Sequence, residues 1–386
     1  MNYYSVPADF RKSTIDQYEE LNNRYQESKV METYGSITVD NVFGSGRVIN
    51  QLPRIDLLDL KEYVAYSQSK GIGFNYTFNA TYINKWEFSE EGISAIMKFL
   101  GELHEIGVKS LTVALPSLME IVKSSGYDFN IKASTLCQII NANKASFYKD
   151  FGLERIVIDE SINRDFMNIR EITRVFGDKV EMIINPICLN DCVYRMFHYN
   201  QISGDSTTDC GQVSTNYYEY RCVLQRHHDV ANMMKIQFVR PEDISRYVNA
   251  GIHYFKLQGR NLVMKGDPVK TVELYFKQEF DGDVMDLIYM FAPLNNFKIY
   301  LDNKKLDGFL DPFEKNDHFC HKDCHTCKYC KEFSKKVIDV PKAEEIMQLS
   351  KEFYRDYDKF NAMIETAKQK PEKQQDTSLI DIAFDF

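Results

Sequence analysis

The sequence predicts an α/β fold, a TIM-like (β/α)8 barrel with a C-terminal cysteine-rich extension. Three observations carry that expectation. Eight short strand-like segments alternate with helical segments between residues 36 and 262. That span is close to the ~250 residues over which such barrels close. No glycine-rich dinucleotide turn follows any of the strands, which sets the competing open, doubly wound sheet behind the closed barrel.

Residues 1–35 read as a helical lead-in. Ser13 is placed to cap I-D-Q-Y-E-E-L-N-N-R-Y, where Ile15, Tyr18, Leu21 and Tyr25 recur at helical spacing. The barrel is expected over residues 36–262. Its first strand is read at Ser36–Val42, before Phe43-Gly44-Ser45-Gly46-Arg47. Further strands are read at Gly73–Asn79, Ser110–Ala114, Asn130–Ser134, Arg155–Asp159, Val180–Ile184, Lys235–Phe238 and His253–Leu257. Helices fall between them at Leu57–Lys70, Glu90–Ile106, Ser117–Ser124, Asn141–Asp150 and Arg164–Phe176, and at Pro241–Asn249 with proline in its first turn. Residues 263–335 form an extension that ends in a cysteine-rich metal motif. Residues 336–386 form a helical tail whose polar Lys368–Thr377 stretch is expected to be disordered.

Composition narrows the function. The chain has 386 residues, 44% hydrophobic, with a formal charge of −9, so no global basic field draws it to nucleic acid and any such contact needs a local groove. No apolar run is long enough to span a bilayer, and the opening M-N-Y-Y-S-V-P-A-D-F lacks the pattern of an export signal. A cytoplasmic protein is expected. Nine cysteines, an odd number with eight in two groups, fit metal ligation in a reducing compartment better than disulfides.

The first group, Cys188, Cys192, Cys210 and Cys222, follows the strand Val180–Ile184. Thiolates suit iron–sulfur clusters, zinc and copper(I). The uneven gaps fit a cluster held from one long loop better than the paired spacing of a zinc ribbon, and four unrelated buried thiols are the plain alternative. The second group is Cys320-x3-Cys324-x2-Cys327-x2-Cys330. Its last three members match the run of bacterial ferredoxins. With His318, His321 and His325 nearby, zinc and a second 4Fe–4S cluster stand as equal readings. Cys320, Cys324 and Cys327 also have radical-SAM spacing, but they lie beyond the last strand, and a fourth thiol fills the open iron.

A barrel's active site lies at the C-terminal ends of its strands. The residues found there are Asn79, Thr135, Asp159, Glu160, Asn185, Cys188, Arg240, Gln258 and Arg260. Asp159, Glu160 and His198 are the candidate acid–base residues. Arg260, with Arg240 and Arg195, is the candidate grip on a carboxylate-bearing ligand, because a guanidinium matches a carboxylate bidentately. The plainer role for Arg260 is a salt bridge closing the barrel.

Six stretches resemble the U32 peptidase family, the collagenase-like peptidases. They are Y-G-S (34–36), G-S-G-R (44–47), K-G-I-G-F-N-Y (70–76), N-P-I-C-L-N-D-C-V-Y-R (185–195), V-R-P-E-D-I (239–244) and G-I-H-Y-F-K-L-Q-G-R (251–260). The family's cysteine-flanked serine-glycine-arginine signature is missing. The resemblance implies a TIM-like barrel and a cysteine-bound 4Fe–4S cluster. It also implies hydroxylation of RNA bases or ubiquinone precursors, in some members with prephenate. An iron–sulfur enzyme modifying a small molecule, peptide or RNA is therefore expected, served by an electron donor or partner subunit and no membrane. The alternatives are a peptidase and a non-catalytic metal-binding scaffold. Neither H-E-x-x-H nor G-x-S-x-G occurs.

Overall fold

The computed structural model describes residues 1–207, 217–293 and 297–355. Eight parallel strands close into a barrel in chain order. They are β1 Asn2–Pro7, β2 Ser28–Gly35, β3 Gly73–Phe78, β4 Ser110–Val113, β5 Asn130–Ala133, β6 Arg155–Val157, β7 Val180–Ile183 and β8 Tyr254–Lys256. Pairing of Tyr3 with Tyr254 and of Tyr4 with Phe255 closes the ring. Helices α1 Lys12–Arg24, α2 Leu57–Ser69, α3 Glu90–Glu105, α4 Pro116–Ser124, α5 Ala142–Asp150 and α6 Phe166–Phe176 follow β1 to β6 in turn. The long β7–β8 connection carries α7 Arg195–Gly204, α8 Tyr217–Arg226 and α9 Ile244–Asn249. After β8 come α10 Pro268–Lys277, α11 Val284–Ile288, α12 Asp311–Lys315, α13 Tyr329–Val337 and α14 Val340–Arg355.

Local sequence sets the helix starts. Asp56 and Asp59 form a capping box on α2, Ser89 accepts from the Gly92 amide, and Asn141 accepts from the Lys144 amide. Successive strand residues face opposite sides. The outward set, including Tyr4, Val30, Phe74, Leu111, Ile131, Ile156, Met182 and Phe255, is buried under the helices. The inward set is polar. Ser5, Glu32, Lys132, Arg155, Glu181 and Lys256 are all buried in the barrel, where branched aliphatic layers are usual. The Lys132 ammonium bonds Glu32 and lies 2.7 Å from Glu181 Oε2, while Arg155 Nη1 lies 3.4 and 3.2 Å from the same two carboxylates. Burial would raise Glu32, but Lys132 and Arg155 outweigh it and hold the carboxyl down to about 2.

The barrel thus begins at Asn2, and the stretch expected as a lead-in supplies β1, α1 and β2. The polar inward residues Ser5 and Glu32 hide the apolar run by which a buried strand is usually recognised. Ser36–Val42 and Lys235–Phe238 are not barrel strands. Thr38 and Val39 donate to the Ile55 carbonyl in a loop, and Ile236 makes a single antiparallel bridge to Leu189. The barrel also runs past residue 262, because α10 covers β1, with Tyr275 and Phe276 against Tyr4.

The extension is integral to the molecule. Phe309, Phe313, Phe319, Tyr329 and Phe333 form one aromatic cluster, with centroid separations of 5.0 to 5.9 Å. Helix α14 reaches back so that Ser350 Oγ meets His227 Nδ1 at 2.8 Å. Lys368–Thr377 and the acidic, apolar end lie outside the described residues. Among the described residues no helix is long and apolar enough to cross a membrane.

Candidate active site

The ends of β7 and β8 are locked together before the chain turns into the site. Asn185 Nδ2 donates to the carbonyls of Gln258 and Ile288 at 3.0 and 3.1 Å, and its Oδ1 accepts from the Gln258 amide at 2.7 Å. This clamp fixes Cys188 on one side and Arg260 on the other. Gly259, between Gln258 and Arg260, has φ +125°, and a Cβ there would stand 2.5 Å from the Met290 methyl. Only glycine fits that turn. Across the mouth the loop Gly44-Ser45-Gly46 is pinned by Ser206 Oγ, which accepts from the Ser45 amide at 2.7 Å, and by Asn79 Oδ1, which accepts from the Gly46 amide at 3.0 Å. The loop delivers Arg47.

These elements enclose a chamber of about 350 Å³, lined among others by Arg47, Cys188, His198, Tyr199, Cys222 and Arg226, with Tyr354 of α14 in its wall. A smaller recess leads toward the barrel axis, lined by Arg47, Thr77, Thr112, Ser134, Lys256 and Arg260 among others. Arg47, Tyr199, Gln258 and Gly259 line both. Small polar floor groups under a larger mouth suit one ligand with an anionic head and a bulkier body.

Arg47, Lys256 and Arg260 line the recess with no carboxylate among its lining residues, whereas Asp205 and Glu219 join Arg47 and Arg226 in the chamber wall. Arg260 is buried, and its Nη1 meets the hydroxyls of Thr77, Ser36 and Ser45 at 2.7, 3.3 and 3.4 Å. Among the described residues no carboxylate pairs with it. Burial first, then Arg47, hold Arg260 down to about 9, so it stays charged at neutral pH. Among the described residues Arg47 meets only the Gly46 carbonyl, at 2.8 Å. Arg226, also buried, reaches the Tyr289 hydroxyl at 3.4 Å, and its Nε is buried without a partner among the described residues. His198 is held down to about 4 by burial and then by Arg47, and His227 to about 4 by burial, Arg226 and Lys351. Both imidazoles are therefore neutral at pH 7.

The other expected site residues sit elsewhere. Asp159 Oδ1 accepts from Arg195 Nη1 at 2.5 Å, and Glu160 accepts from Thr135 Oγ1 at 2.9 Å and Tyr199 OH at 3.2 Å. This buried network ties α7 to the end of β6. None of Asp159, Glu160 and Arg195 lines the chamber or the recess. Arg240 is farther removed from the expected role. Asp243 at 2.8 Å, Asp307 at 2.9 Å and the Asn303 carbonyl at 2.9 Å occupy its guanidinium, which fastens the extension to the barrel. A motif search sees an arginine after a strand in both Arg240 and Arg260, and only the partners distinguish a brace from a grip. Lys256, the last residue of β8 and two residues before Gln258, lines the recess as well. Arg47 was visible at the end of a glycine-rich loop, while Arg226 carries no sequence signal beyond its nearness to Cys222.

Cys188, Cys192 and Cys222 are partly buried. Burial pushes the Cys188 thiol up, Glu160 adds to it, and Cys222 and Cys192 act in the same direction against Arg195. The three thiols thus share one electrostatic neighbourhood. Cys210 lies outside the described residues. Among the described residues no three Cys, His, Asp or Glu side chains are already gathered to hold a metal ion. The surroundings nonetheless suit a thiolate-held anionic group, since the unpartnered Arg226 Nε is buried next to Cys222 and Cys188. In the second group Cys320 and Cys324 are exposed, and Cys327 and Cys330 partly buried. Burial and the other three thiols push Cys330 up to about 11 against the opposing Arg164.

The sequence model of peptidase family U32 matches residues 53–286. A protein of Methanocaldococcus jannaschii named as an uncharacterized protease, MJ1657, is 28% identical over 340 residues, 87% of this chain and 98% of its own length. The 23S rRNA 5-hydroxycytidine C2501 synthase of Escherichia coli is 23% identical over 233 residues, 58% of this chain. The match spans only 33% of that enzyme. The solved structure of the U32 peptidase Mk0906 aligns with a TM-score of 0.49 at 15% identity, covering 67% of this chain and 93% of that one.

Proposed function

The chain belongs to peptidase family U32, and we propose that it is an iron–sulfur enzyme of the reducing cytoplasm that modifies an anionic substrate by hydroxylation-type chemistry. One observation carries the reading. Arg47 and Arg226 line the chamber that Cys188 and Cys222 enter, Arg260 lines the recess that shares Arg47 with it, and none of the three has a carboxylate partner among the described residues. Unpaired buried cations are costly, and bound anions remove that cost. Cys188, Cys192 and Cys222, with Cys210, would hold a 4Fe–4S cluster, which supplies one-electron chemistry when bound. Arg226 would donate to its sulfurs. Arg260 and Arg47 would orient the substrate's anionic group, and neutral His198 would hydrogen-bond it from the chamber wall. The Escherichia coli relative is named for an RNA base hydroxylation, which favours this chemistry over hydrolysis. Cys320, Cys324, Cys327 and Cys330 would hold a separate centre, a second 4Fe–4S cluster or zinc.

Anaerobic purification with iron and sulfide analysis tests the reading. Wild-type protein should be brown and contain both elements. Cys188→Ser and Cys222→Ser should lower both, while Cys324→Ser leaves the first centre intact. A colourless wild-type protein that cleaves peptides would replace the reading with the peptidase alternative.

A further inference from the structure

The barrel interior holds one positive charge more than its carboxylates can balance. Lys132 and Arg155 each contact both Glu32 and Glu181, and both reach Glu181 through Oε2, which leaves its Oε1 without a hydrogen-bond partner among the described residues. Lys256 is the third cation and the most loosely held. Its Nζ stands 3.8 Å from Glu181 Oε1, beyond hydrogen-bond range, and 3.9 Å from the centre of the Tyr34 ring. No hydrogen bond to Nζ is found among the described residues. Lys132 on one side and Arg260 on the other both repel an ammonium there. Burial first, then Lys132, bring Lys256 down to about 7, so an uncharged amine is well populated at neutral pH. This amine lines the recess whose mouth is held by Arg260 and Arg47.

We propose that Lys256 is a nucleophile that condenses with the carbonyl of a 2-oxo acid whose carboxylate is gripped by Arg260 and Arg47. Arg47, Arg260 and Lys256 line the same recess, so a 2-oxo acid held there by its carboxylate has its carbonyl carbon in the space that the Lys256 amine shares. A desolvated lysine beside other cations is the arrangement that keeps an amine reactive toward carbonyls. The step balances without an oxidant or reductant. The nitrogen lone pair forms the C–N bond, and the C=O π pair moves to oxygen. The two hydrogens of the amine then leave with that oxygen as water, giving an imine. The hydroxyls of Thr77, Thr112 and Ser134 line the recess and are available to the departing oxygen. The proposal rests on the reading of the mouth as an anion site, and it adds the substrate class and a covalent role for Lys256.

Pyruvate and lactate are the probes, since they share a carboxylate and differ in the carbonyl. Wild-type protein is incubated with each, treated with sodium borohydride and mapped by peptide mass spectrometry, while calorimetry reports binding. Pyruvate should leave one reduced adduct on Lys256, lactate should compete with it and leave none, and Lys256→Met should lose the adduct. Mapping on the wild-type chain identifies the residue even if the variant folds poorly. Pyruvate that binds but leaves no adduct on Lys256 would overturn the proposal and keep the anion site. Failure of both acids to bind would remove the anion site and the proposal with it.

Discussion

Replacing Arg260 by methionine separates a residue that grips a ligand from one that braces the barrel. In the ligand-free protein its Nη1 makes one short bond, to Thr77 at 2.7 Å, and two long ones, to Ser36 and Ser45. Each such bond to a neutral hydroxyl contributes about 1 kcal/mol. Against this stands the burial of a guanidinium with no carboxylate beside it and with Arg47 repelling it, a cost of several kcal/mol for a fully desolvated ion and less at a wet mouth. Methionine fills a similar apolar volume and removes the charge. The ligand-free Arg260→Met protein should therefore melt no lower than wild type. Binding should suffer, because a charged hydrogen bond contributes about 1.5–3 kcal/mol, about 10- to 150-fold in Kd. Calorimetry with a carboxylate such as lactate, beside a thermal melt of each free protein, reads both quantities. A variant that melts lower and binds as wild type would show that Arg260 is a brace, and the anion site would lose its main residue.

Three further outcomes follow from the buried charges. Lys132→Met leaves Arg155 as the one cation contacting both Glu32 and Glu181, with Lys256 3.8 Å from Glu181 alone, and should cost about 3–5 kcal/mol in denaturant unfolding; a loss below about 1 kcal/mol would mean that the carboxylates are not both ionised. Glu32, held at about 2 in the fold against ~4.3 when unfolded, contributes stability above pH ~4.3 that is lost as pH falls toward 2, on the order of 3 kcal/mol. Wild type should accordingly lose more melting temperature between pH 5 and pH 3 than Glu32→Gln does. Arg240→Gln should cost about 1.5–3 kcal/mol, because it removes the 2.8 Å partner of the buried Asp243 and leaves Arg246 at 3.4 Å, yet leave lactate affinity unchanged. Weaker lactate binding in that variant would contradict the placement of Arg240 outside the cavity.

Much of this architecture was legible. The strands from β3 to β8 announce themselves as short apolar alternations such as Phe74, Tyr76 and Phe78, each after a helix with a readable start. The strands β1 and β2 do not, because their inward side chains are part of a charge network whose partners come from β5, β6 and β7. Glu32 looks like a surface residue until Lys132, a hundred positions away, is placed against it. The same non-local cause hides Lys256, whose reactivity depends on Lys132, Glu181 and Arg260 together. Lys235–Phe238 has strand composition and is buried, but the ring is already complete without it. For the site, the strand-end rule identified Arg260, Gln258 and Cys188. It could not distinguish Arg260 from Arg240, since Asp243 and Asp307 are what neutralise the latter.

The central claim is that the thiols of the chamber and the arginines of the adjoining recess serve one ligand. The electron paramagnetic resonance spectrum of the reduced, anaerobically purified protein, recorded with and without saturating lactate, tests it directly. A ligand held by Arg260 beside a cluster on Cys188 and Cys222 should shift the cluster's spectrum in wild type and leave it unchanged in Arg260→Met. A wild-type spectrum indifferent to lactate that calorimetry shows to be bound, or no cluster signal at all, would contradict the account.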